Sequence, residues 1–272
     1  MKAITGLILY AVLCKATFLT ERQARQDPCV QANGNQGVRQ VGLRQRPASP
    51  ANGTVQREIT SVLNFCPGIL EKCGPDTSKL ITSNLNSFLE RCQIHVKNVD
   101  VKEIKNQQCG TSLDEFDKIQ TFMNELHQGG PSTLNILFLT PQASRGEGSQ
   151  ILGFCQQPKP GIKPLAREGK DSCALNSNVL LNENGSCSKS IRIAVVHEVG
   201  HWLGLFHVCP QQNPSRASRS LMEPQEIPAG INPPFSDAQC EAMRRVVDFR
   251  MANDRASGVE GRGNAVNGLA EV

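Results

Sequence analysis

Residues 197–207 read HEVGHWLGLFH and contain three of the five histidines in the chain. Residues four apart share one face of an α-helix, so His197 and His201 are expected to point two imidazole nitrogens at one metal ion. Glu198 directly follows the first of these histidines, and its carboxylate is expected to reach a water on that ion without being a ligand. The stretch therefore predicts a helix that carries a metal site.

A third histidine completes the predicted site after the helix ends. Gly204 has no Cβ, which allows the chain to leave the helix at positive φ and to bring His207 back toward the other two. Three protein ligands leave one position of a tetrahedral zinc ion open for water, as in catalytic rather than structural zinc sites. The alternative is a set of core histidines with satisfied hydrogen bonds, but the spacing and the added glutamate and glycine favour the metal site.

The pattern matches the extended zinc motif HExxHxxGxxH of the metzincin metalloproteases, and the chain resembles that family. Within it, the sequence is most similar to the pappalysin-type branch, above all to the secreted metalloproteases of fungi. Metzincins also carry a methionine-containing turn below the metal, for which SLMEP (220–224) is the candidate, with Met222 in a structural role. The likeness covers roughly residues 76–250. It includes LNILFL (134–139), ILGF (151–154) and the segment from Pro234 into a closing helix.

The resemblance implies an α+β fold with a central cleft. A mixed, twisted sheet and a long active-site helix are expected beside the cleft, and a C-terminal helix is expected below it. Residues 134–139 correspond to the central strand and residues 151–154 to a substrate-side edge strand. One zinc ion per chain is expected, and the residues that the resemblance assigns to it are His197, His201 and His207, with Glu198 as general base and Gly204 in a structural role.

The chain departs from that branch between the third histidine and the methionine. Only 14 residues lie between His207 and Met222, where the resemblance leads us to expect a long insertion that carries a disulfide. Cys209 and Cys240 flank the turn and are candidates for a disulfide across it, in place of the larger loop.

Hydrophobic periodicity predicts alternating helices and strands around the motif, which favours helices packed on a mixed sheet. Residues 80–89 have helical spacing, and residues 94–104 are expected to be extended. Ser112 and Glu115 have the spacing of a capping box ahead of a helix that ends at Gly129. Further strands are predicted at residues 134–139, 150–154 and 179–181.

The two ends of the chain are expected to lie outside the folded domain. Residues 1–16 combine a positive start, an apolar run too short to cross a membrane and a small final residue, as in a secretory signal peptide. Residues 17–57 are polar without an apolar period, which predicts a flexible arm or a pro-segment. Cys29 within it is either bonded to the domain or a metal ligand that keeps an enzyme latent. The catalytic domain then spans residues 58–252, and the small, polar stretch 253–272 is expected to be a disordered tail.

The cysteine count indicates an oxidising compartment. Eleven cysteines occur, and ten remain after Cys14 of the leader, an even number of widely spaced residues. We therefore expect a secreted, extracellular glycoprotein with disulfides and with Asn52 and Asn184 as glycosylation acceptors. The net charge of +4 is too small to indicate a nucleic-acid partner, and no stretch after the leader is apolar enough to span a membrane.

The sequence thus predicts a monomeric, secreted zinc metalloendopeptidase, a hydrolase whose partners are protein or peptide substrates rather than nucleic acid or membranes. In the expected mechanism Glu198 accepts a proton from zinc-activated water and passes it to the leaving amine. Two alternatives stay open: a secreted zinc-containing binding protein without proteolytic activity, and an exported domain whose metal only supports a small core. The intact Glu198 argues against the first, and the second leaves the open ligand position unexplained.

Overall fold

A five-stranded sheet organises the part of the chain that surrounds the histidine motif. The computed structural model describes residues 56–140, 152–156, 171–181, 186–188, 193–208, 220–223 and 233–257. Its strands are β1 (Arg57–Phe65), β2 (Ile94–Glu103), β3 (Thr133–Leu139), β4 (Gly153–Cys155) and β5 (Ser172–Asn176). They lie in the order β2-β1-β3-β5-β4, and all neighbours are parallel except β4, which is antiparallel to β5. The fold is therefore mixed α/β with a mostly parallel sheet.

Helices connect these strands along the described residues. They are α1 (Ile69–Cys73), α2 (Thr77–Leu89), α3 (Phe116–Leu126), α4 (Ile193–Trp202) and α5 (Asp237–Ser257). Short 3-10 helices lie at Glu90–Cys92, Gln107–Gly110 and Ser177–Leu180. No helix in these described ranges is long and apolar enough to span a membrane.

Strand β3 forms the centre of the sheet, as predicted for residues 134–139. All seven of its residues are buried, because strands flank it on both sides and both faces are covered. Phe138 stacks on Phe65 of β1 with ring centroids 4.9 Å apart. The buried Asn135 side chain is satisfied by two hydrogen bonds with the backbone of Gln128, of 2.9 and 3.0 Å.

Two amphipathic helices contribute one face each to the same core. In α2, Ile81, Leu85 and Leu89 recur every four residues and are at most 1% exposed. In α3, Ile119, Phe122 and Met123 form the equivalent stripe. The helical periodicity that the sequence displays in both segments is therefore the periodicity of core packing.

The predicted capping box at Ser112 is wrong. Helix α3 begins at Phe116, three residues later than a capping box requires, and Glu115 is its N-cap without a side-chain cap bond. The Ser112 hydroxyl instead accepts a hydrogen bond of 3.3 Å from the amide of Asp114, and Glu115 forms an ion pair with Lys118. Both side chains of the expected box are thus engaged elsewhere, in a turn that precedes the helix.

The strand predicted at residues 179–181 is also wrong, since Ser177–Leu180 is a 3-10 helix. The side chain of Asn176 accepts a 3.0 Å hydrogen bond from the amide of Asn178 and so starts this turn. The real strand is β5, directly before it. Its sequence, SCALN, has a weak strand propensity, and its parallel pairing with β3 makes it extended.

The predicted domain limits shift slightly at both ends. Helix α5 continues to Ser257, so residues 253–257 are helical, against the prediction of a disordered tail from residue 253. Asn253 and Asp254 are buried, and Asp254 accepts a 3.0 Å hydrogen bond from the amide of Ser132. At the other end β1 already begins at Arg57, one residue inside the predicted arm.

The eight cysteines within the described residues form four disulfides, which are Cys66–Cys109, Cys73–Cys187, Cys92–Cys240 and Cys155–Cys173. The proposed Cys209–Cys240 pair is therefore wrong. Cys240 lies in the first turn of α5, where its Cα is 4.7 Å from that of Cys92. Cys209 falls outside the described residues, as do Cys29, the leader at 1–16, all of the arm before residue 56, Asn52 and Asn184.

Candidate metal centre

Helix α4 presents the first two histidines of the motif on one face. Val195, Val196 and Val199 are fully buried and hold the helix in the core. His197 and His201, one helical turn apart, point their rings into a common space, with ring centroids 4.8 Å apart and planes at 82°. This part of the geometry follows from the helical period alone.

The third histidine is brought back by a turn at the end of α4. Gly204 has φ of 87°, its amide bonds to the carbonyl of His201 at 2.8 Å, and the amide of Leu205 bonds to the carbonyl of Gly200 at 2.9 Å. This pair of hydrogen bonds is a Schellman motif, which requires a left-handed residue at the position of Gly204. The chain reverses there, and His207 returns toward the helix as predicted.

The three imidazoles converge through their Nε2 atoms. The distances between these nitrogens are 3.1 Å (His197–His207), 3.1 Å (His201–His197) and 3.0 Å (His201–His207). Nitrogens bound tetrahedrally to one zinc ion at about 2.0–2.1 Å lie roughly 3.3 Å from one another. The observed triangle is within a few tenths of an ångström of that value, so the three side chains fit a metal ion of this size.

Backbone carbonyls orient two of the rings from behind. Nδ1 of His197 donates to the carbonyl of Leu221 and Nδ1 of His201 to the carbonyl of Leu205, both at 2.8 Å. A carbonyl only accepts, so each Nδ1 carries the proton and each Nε2 keeps a free lone pair for a metal. The tautomer that metal binding requires is therefore set by the fold.

Burial lowers the pKa of all three imidazoles. Desolvation is the main cause at each, and repulsion from the neighbouring rings adds to it at His201, whose pKa falls well below 6.5, and at His207, whose pKa falls to about 4. The carbonyls of Leu221 and Leu205 oppose this shift in part. The rings are consequently neutral near pH 7, which is the form that binds metal.

The segment that contains Met222, which the resemblance predicts to be a methionine turn, packs against α4. Met222 is fully buried, and a Cβ added to Gly200 of α4 would come within 2.6 Å of its Sδ. The carbonyl of Met222 accepts a 2.7 Å hydrogen bond from the amide of Val208, one residue after the third histidine. Met222 therefore contacts the helix and the returning segment at once. Gly200 was not among the residues predicted to matter for the site, although a glycine inside a helix is itself a signal of close packing.

Glu198 is buried beside this triangle, with 8% of its surface exposed. Burial raises the pKa of its carboxyl to about 8, although a hydrogen bond from the backbone of Cys155 in β4 lowers it in part. Its Oε2 atom is buried without a hydrogen-bond partner among the described residues. A carboxylate oxygen in that position is available to a water or to a group bound at the site, and a pKa near neutrality suits a general base.

Strand β4 closes one side of the site. A Cβ at Gly153 would lie 3.0 Å from Cγ of Glu198, so the absence of a side chain allows the strand to approach the glutamate. The strand prediction for residues 150–154 thus holds for its last two residues, while residues 150 and 151 lie outside the described ranges. No sequence pattern indicated that strand β4 would lie next to Glu198.

A buried arginine supports the end of α4. The guanidinium of Arg250 in α5 donates to the carbonyls of Trp202 (2.8 Å) and Pro131 (2.9 Å), forms an ion pair with Asp171 and lies 3.9 Å from the centroid of the Trp202 ring. Trp202 is fully buried, and its indole Nε1 donates a 3.3 Å hydrogen bond to the carbonyl of Asp171. Arg250 was not predictable from the sequence, because its partners lie between 48 and 119 residues away along the chain.

The remaining histidines lie apart from the cluster. His95 is in β2, and Nδ1 of His127 is 3.1 Å from the hydroxyl of Ser172 in β5. Among the described residues, the group with metal-binding geometry contains His197, His201 and His207 and neither of these two.

Among known proteins, the chain is similar to proteins that are named extracellular metalloproteases. No family model matches the sequence. The chain is 34% identical over 168 residues to an extracellular metalloprotease of Arthroderma gypseum, a stretch that covers 61% of this chain and 54% of that protein. It is 36% identical over 87 residues to an extracellular metalloprotease of Arthroderma benhamiae, covering 31% of this chain and 26% of that protein. The chain thus spans about half or less of the length of these relatives.

Among solved structures, the chain has a partial match to metalloproteinase-II from Bacteroides fragilis. The TM-score is 0.45 at 15% sequence identity, and the match covers 72% of this chain and 55% of that one.

Proposed function

We propose that this chain is a secreted zinc-dependent endopeptidase of the metzincin type, similar to the pappalysin branch, that hydrolyses peptide bonds of protein substrates. The observation that supports this most directly is the convergence of three Nε2 atoms, 3.0–3.1 Å apart, beside a buried carboxyl. Three ligands instead of four leave room for a reacting water, which a purely structural zinc site does not need.

In the proposed mechanism, His197, His201 and His207 hold one zinc ion per chain. A zinc ion bound there would act as a Lewis acid, which would lower the pKa of water and polarise the carbonyl of the scissile bond. Glu198 accepts a proton as the water oxygen attacks the carbonyl carbon, and it then gives that proton to the leaving amine nitrogen. The positive charge of a bound ion favours the ionised carboxylate that the first step requires, against the effect of burial.

Strand β4 is the proposed docking edge for substrate. It pairs with β5 on one side, and no described strand pairs with its other side. An extended peptide added there would gain main-chain hydrogen bonds that are independent of its side chains, which favours cleavage with a broad sequence tolerance. Met222 and Gly204 have structural roles in this proposal, below the site and at the turn that returns the third ligand.

Export is part of the same proposal. The four disulfides within the described residues are typical of a protein that matures in an oxidising compartment. We assign residues 1–16 as signal peptide, 17–57 as a flexible arm or pro-segment and 58–252 as the core of the catalytic domain, with glycosylation at Asn52 and Asn184. The enzyme is expected to act as a monomer on proteins and peptides, without a nucleic-acid or membrane partner.

The alternative is a secreted zinc-containing binding protein without proteolytic activity. It is favoured by the 14-residue segment between His207 and Met222, which is short for a substrate-shaping loop. The buried and otherwise unused Oε2 of Glu198 opposes it, because a binding protein has no need to keep an isolated carboxyl beside the metal.

Cleavage of an unfolded protein by the purified exported chain tests the proposal. We expect Glu198→Gln to lower kcat by roughly 10²–10⁴-fold with the zinc content unchanged, and chelation to abolish activity in the wild type. Glu241→Gln, on the exposed side of α5, is the matched control and should retain full activity. Full activity in Glu198→Gln would contradict the proposal. A zinc-loaded wild type that stays inactive after removal of residues 17–57 would favour the binding protein.

A further inference from the structure

Strand β4 and Glu198 are packed directly against each other. The Gly153 backbone is close enough to α4 that a Cβ there would lie 3.0 Å from the Glu198 Cγ, and the Cys155 backbone near the carboxyl lowers its pKa in part. Since alternate residues of a strand face the same side, Gly153 and Cys155 both face α4. Phe154 faces the opposite side, where its ring lies 4.7 Å from that of Phe116.

Strand β4 is expected to be weakly held in the sheet, because it is short and lies at the edge. It has three residues and, within the described ranges, one strand neighbour, and its ends are paired with β5 through hydrogen bonds of 3.0 Å (Gln156 to Ser172) and 2.9 Å (Asn176 to Leu152). Short edge strands with few backbone hydrogen bonds open locally more readily than central ones. A carboxyl that relies on such a strand needs an additional restraint to stay in place.

The Cys155–Cys173 disulfide is such a restraint. The two cysteines are directly opposite in the β4–β5 register, with Cα atoms 4.0 Å apart. Their separation of 18 residues is the smallest of the four described disulfides, the others being 43, 114 and 148. A short closed loop removes the least entropy from the unfolded chain, so this bond is expected to contribute least to global stability.

We propose that the Cys155–Cys173 disulfide is a positioning element for Glu198, which ties β4 to β5 and thereby holds the Cys155 backbone against the carboxyl. The inference rests on the proposed function in one respect, namely that Glu198 is the general base. Cys155 is then a positioning residue, and the docking edge and the base are held as one unit.

Kinetics of the zinc-loaded Cys155→Ala/Cys173→Ala variant give the first test. We expect kcat to fall at least about tenfold, because a misplaced base acts on the chemical step, with the zinc content unchanged. Cys66→Ala/Cys109→Ala is the control pair, since it removes a disulfide that joins the end of β1 to the 3-10 helix at Gln107–Gly110 and does not involve β4. It should keep the wild-type kcat at a temperature where it is folded. A change in KM alone would overturn the proposal, because it would mean that the bond affects substrate docking only.

A double-mutant cycle in thermal stability gives the second test and requires no activity. In zinc-saturated protein, the shift in Tm caused by Glu198→Gln should differ by about 2 °C or more between chains with and without the Cys155–Cys173 bond. The same cycle with the Cys66–Cys109 bond should give equal shifts. Equal shifts in both cycles would overturn the positioning role. If the wild type cleaves no peptide, the protease proposal fails, while this cycle still decides whether the bond positions Glu198.

Gly153→Ala serves if the double alanine variant does not fold. It keeps the disulfide and displaces the same contact, since the new Cβ meets the glutamate Cγ and the carbonyl of Ala174, each at 3.0 Å. We expect a similar loss of kcat, and an unchanged kcat would overturn the proposal.

Discussion

Nδ1 of His197 donates a 2.8 Å hydrogen bond to the carbonyl of Leu221, so the residue next to Met222 orients the first histidine of the cluster. The methionine itself lies under Gly200, one residue before His201. The turn at residues 220–223 therefore supports the site through a polar contact and an apolar contact at the same time, and small changes in this packing are expected to reach the ligand geometry.

Gly200→Ala is expected to destabilise the protein by about 1–3 kcal/mol and to weaken metal binding. The added Cβ would lie 2.6 Å from the Met222 sulfur, which forces the methionine or the helix to move. Gly110→Ala is the control, since a Cβ there meets nothing within 4 Å. Denaturant unfolding and competition with a chelator measure the two effects. Equal behaviour of the two variants would contradict the close packing.

Glu198→Gln is expected to make the metal-free protein more stable relative to wild type as the pH rises. The folded carboxyl has a pKa of about 8, against 4.5 in the absence of burial. Between these values the unfolded chain has released a proton that the folded chain retains, so wild-type stability is lost as the pH rises through the interval. Urea denaturation at a series of pH values measures the difference, and a difference that does not vary with pH would contradict the raised pKa.

The histidine cluster is expected to change the stability of the metal-free chain with pH in the opposite direction, because it lowers stability in acid. The folded pKa values lie below 6.5, at about 4 for His207, so in acid the unfolded chain binds protons that the folded chain excludes. Stability of the metal-free chain should therefore fall as the pH drops below about 6.5. Glu198→Gln is the suitable background, because its carboxyl no longer titrates. Replacement of His207 by Gln in that background should reduce the slope, and an unchanged slope would count against the cluster as its source.

Arg250→Gln is expected to cost about 3–5 kcal/mol of folding free energy, since it leaves the Asp171 carboxylate without its buried ion pair and the Trp202 carbonyl without its donor. Arg57→Gln also breaks an arginine–aspartate pair on α5, with Asp248, whose side chain is 53% exposed. That control should cost below about 1 kcal/mol. Denaturant unfolding measures both losses of folding free energy. Similar losses in Arg250→Gln and Arg57→Gln would contradict the expectation that the buried ion pair contributes more than the exposed one.

Local sequence spacing was sufficient to predict most of the metal cluster. The four-residue interval between His197 and His201 specifies a shared helix face, and Gly204 specifies the reversal that returns His207. These relationships extend over eleven residues and depend on helical geometry and on the positive φ that glycine tolerates, so they need no knowledge of the rest of the chain. The buried apolar run of β3 was predictable for the same reason.

Tertiary structure alone decided the partners that surround this cluster. Cys240 bonds to Cys92 across 148 residues, the Cys155 backbone reaches Glu198, and Arg250 caps the carbonyl of Trp202. Strand β5 is extended because β3 lies beside it, although SCALN has little strand preference. Contacts of this kind depend on how strands and helices pack across long separations, where many pairings satisfy the same local pattern. The sequence by itself therefore determined which histidines converge into one cluster, and the packing of the sheet against α4 and α5 determined what orients them.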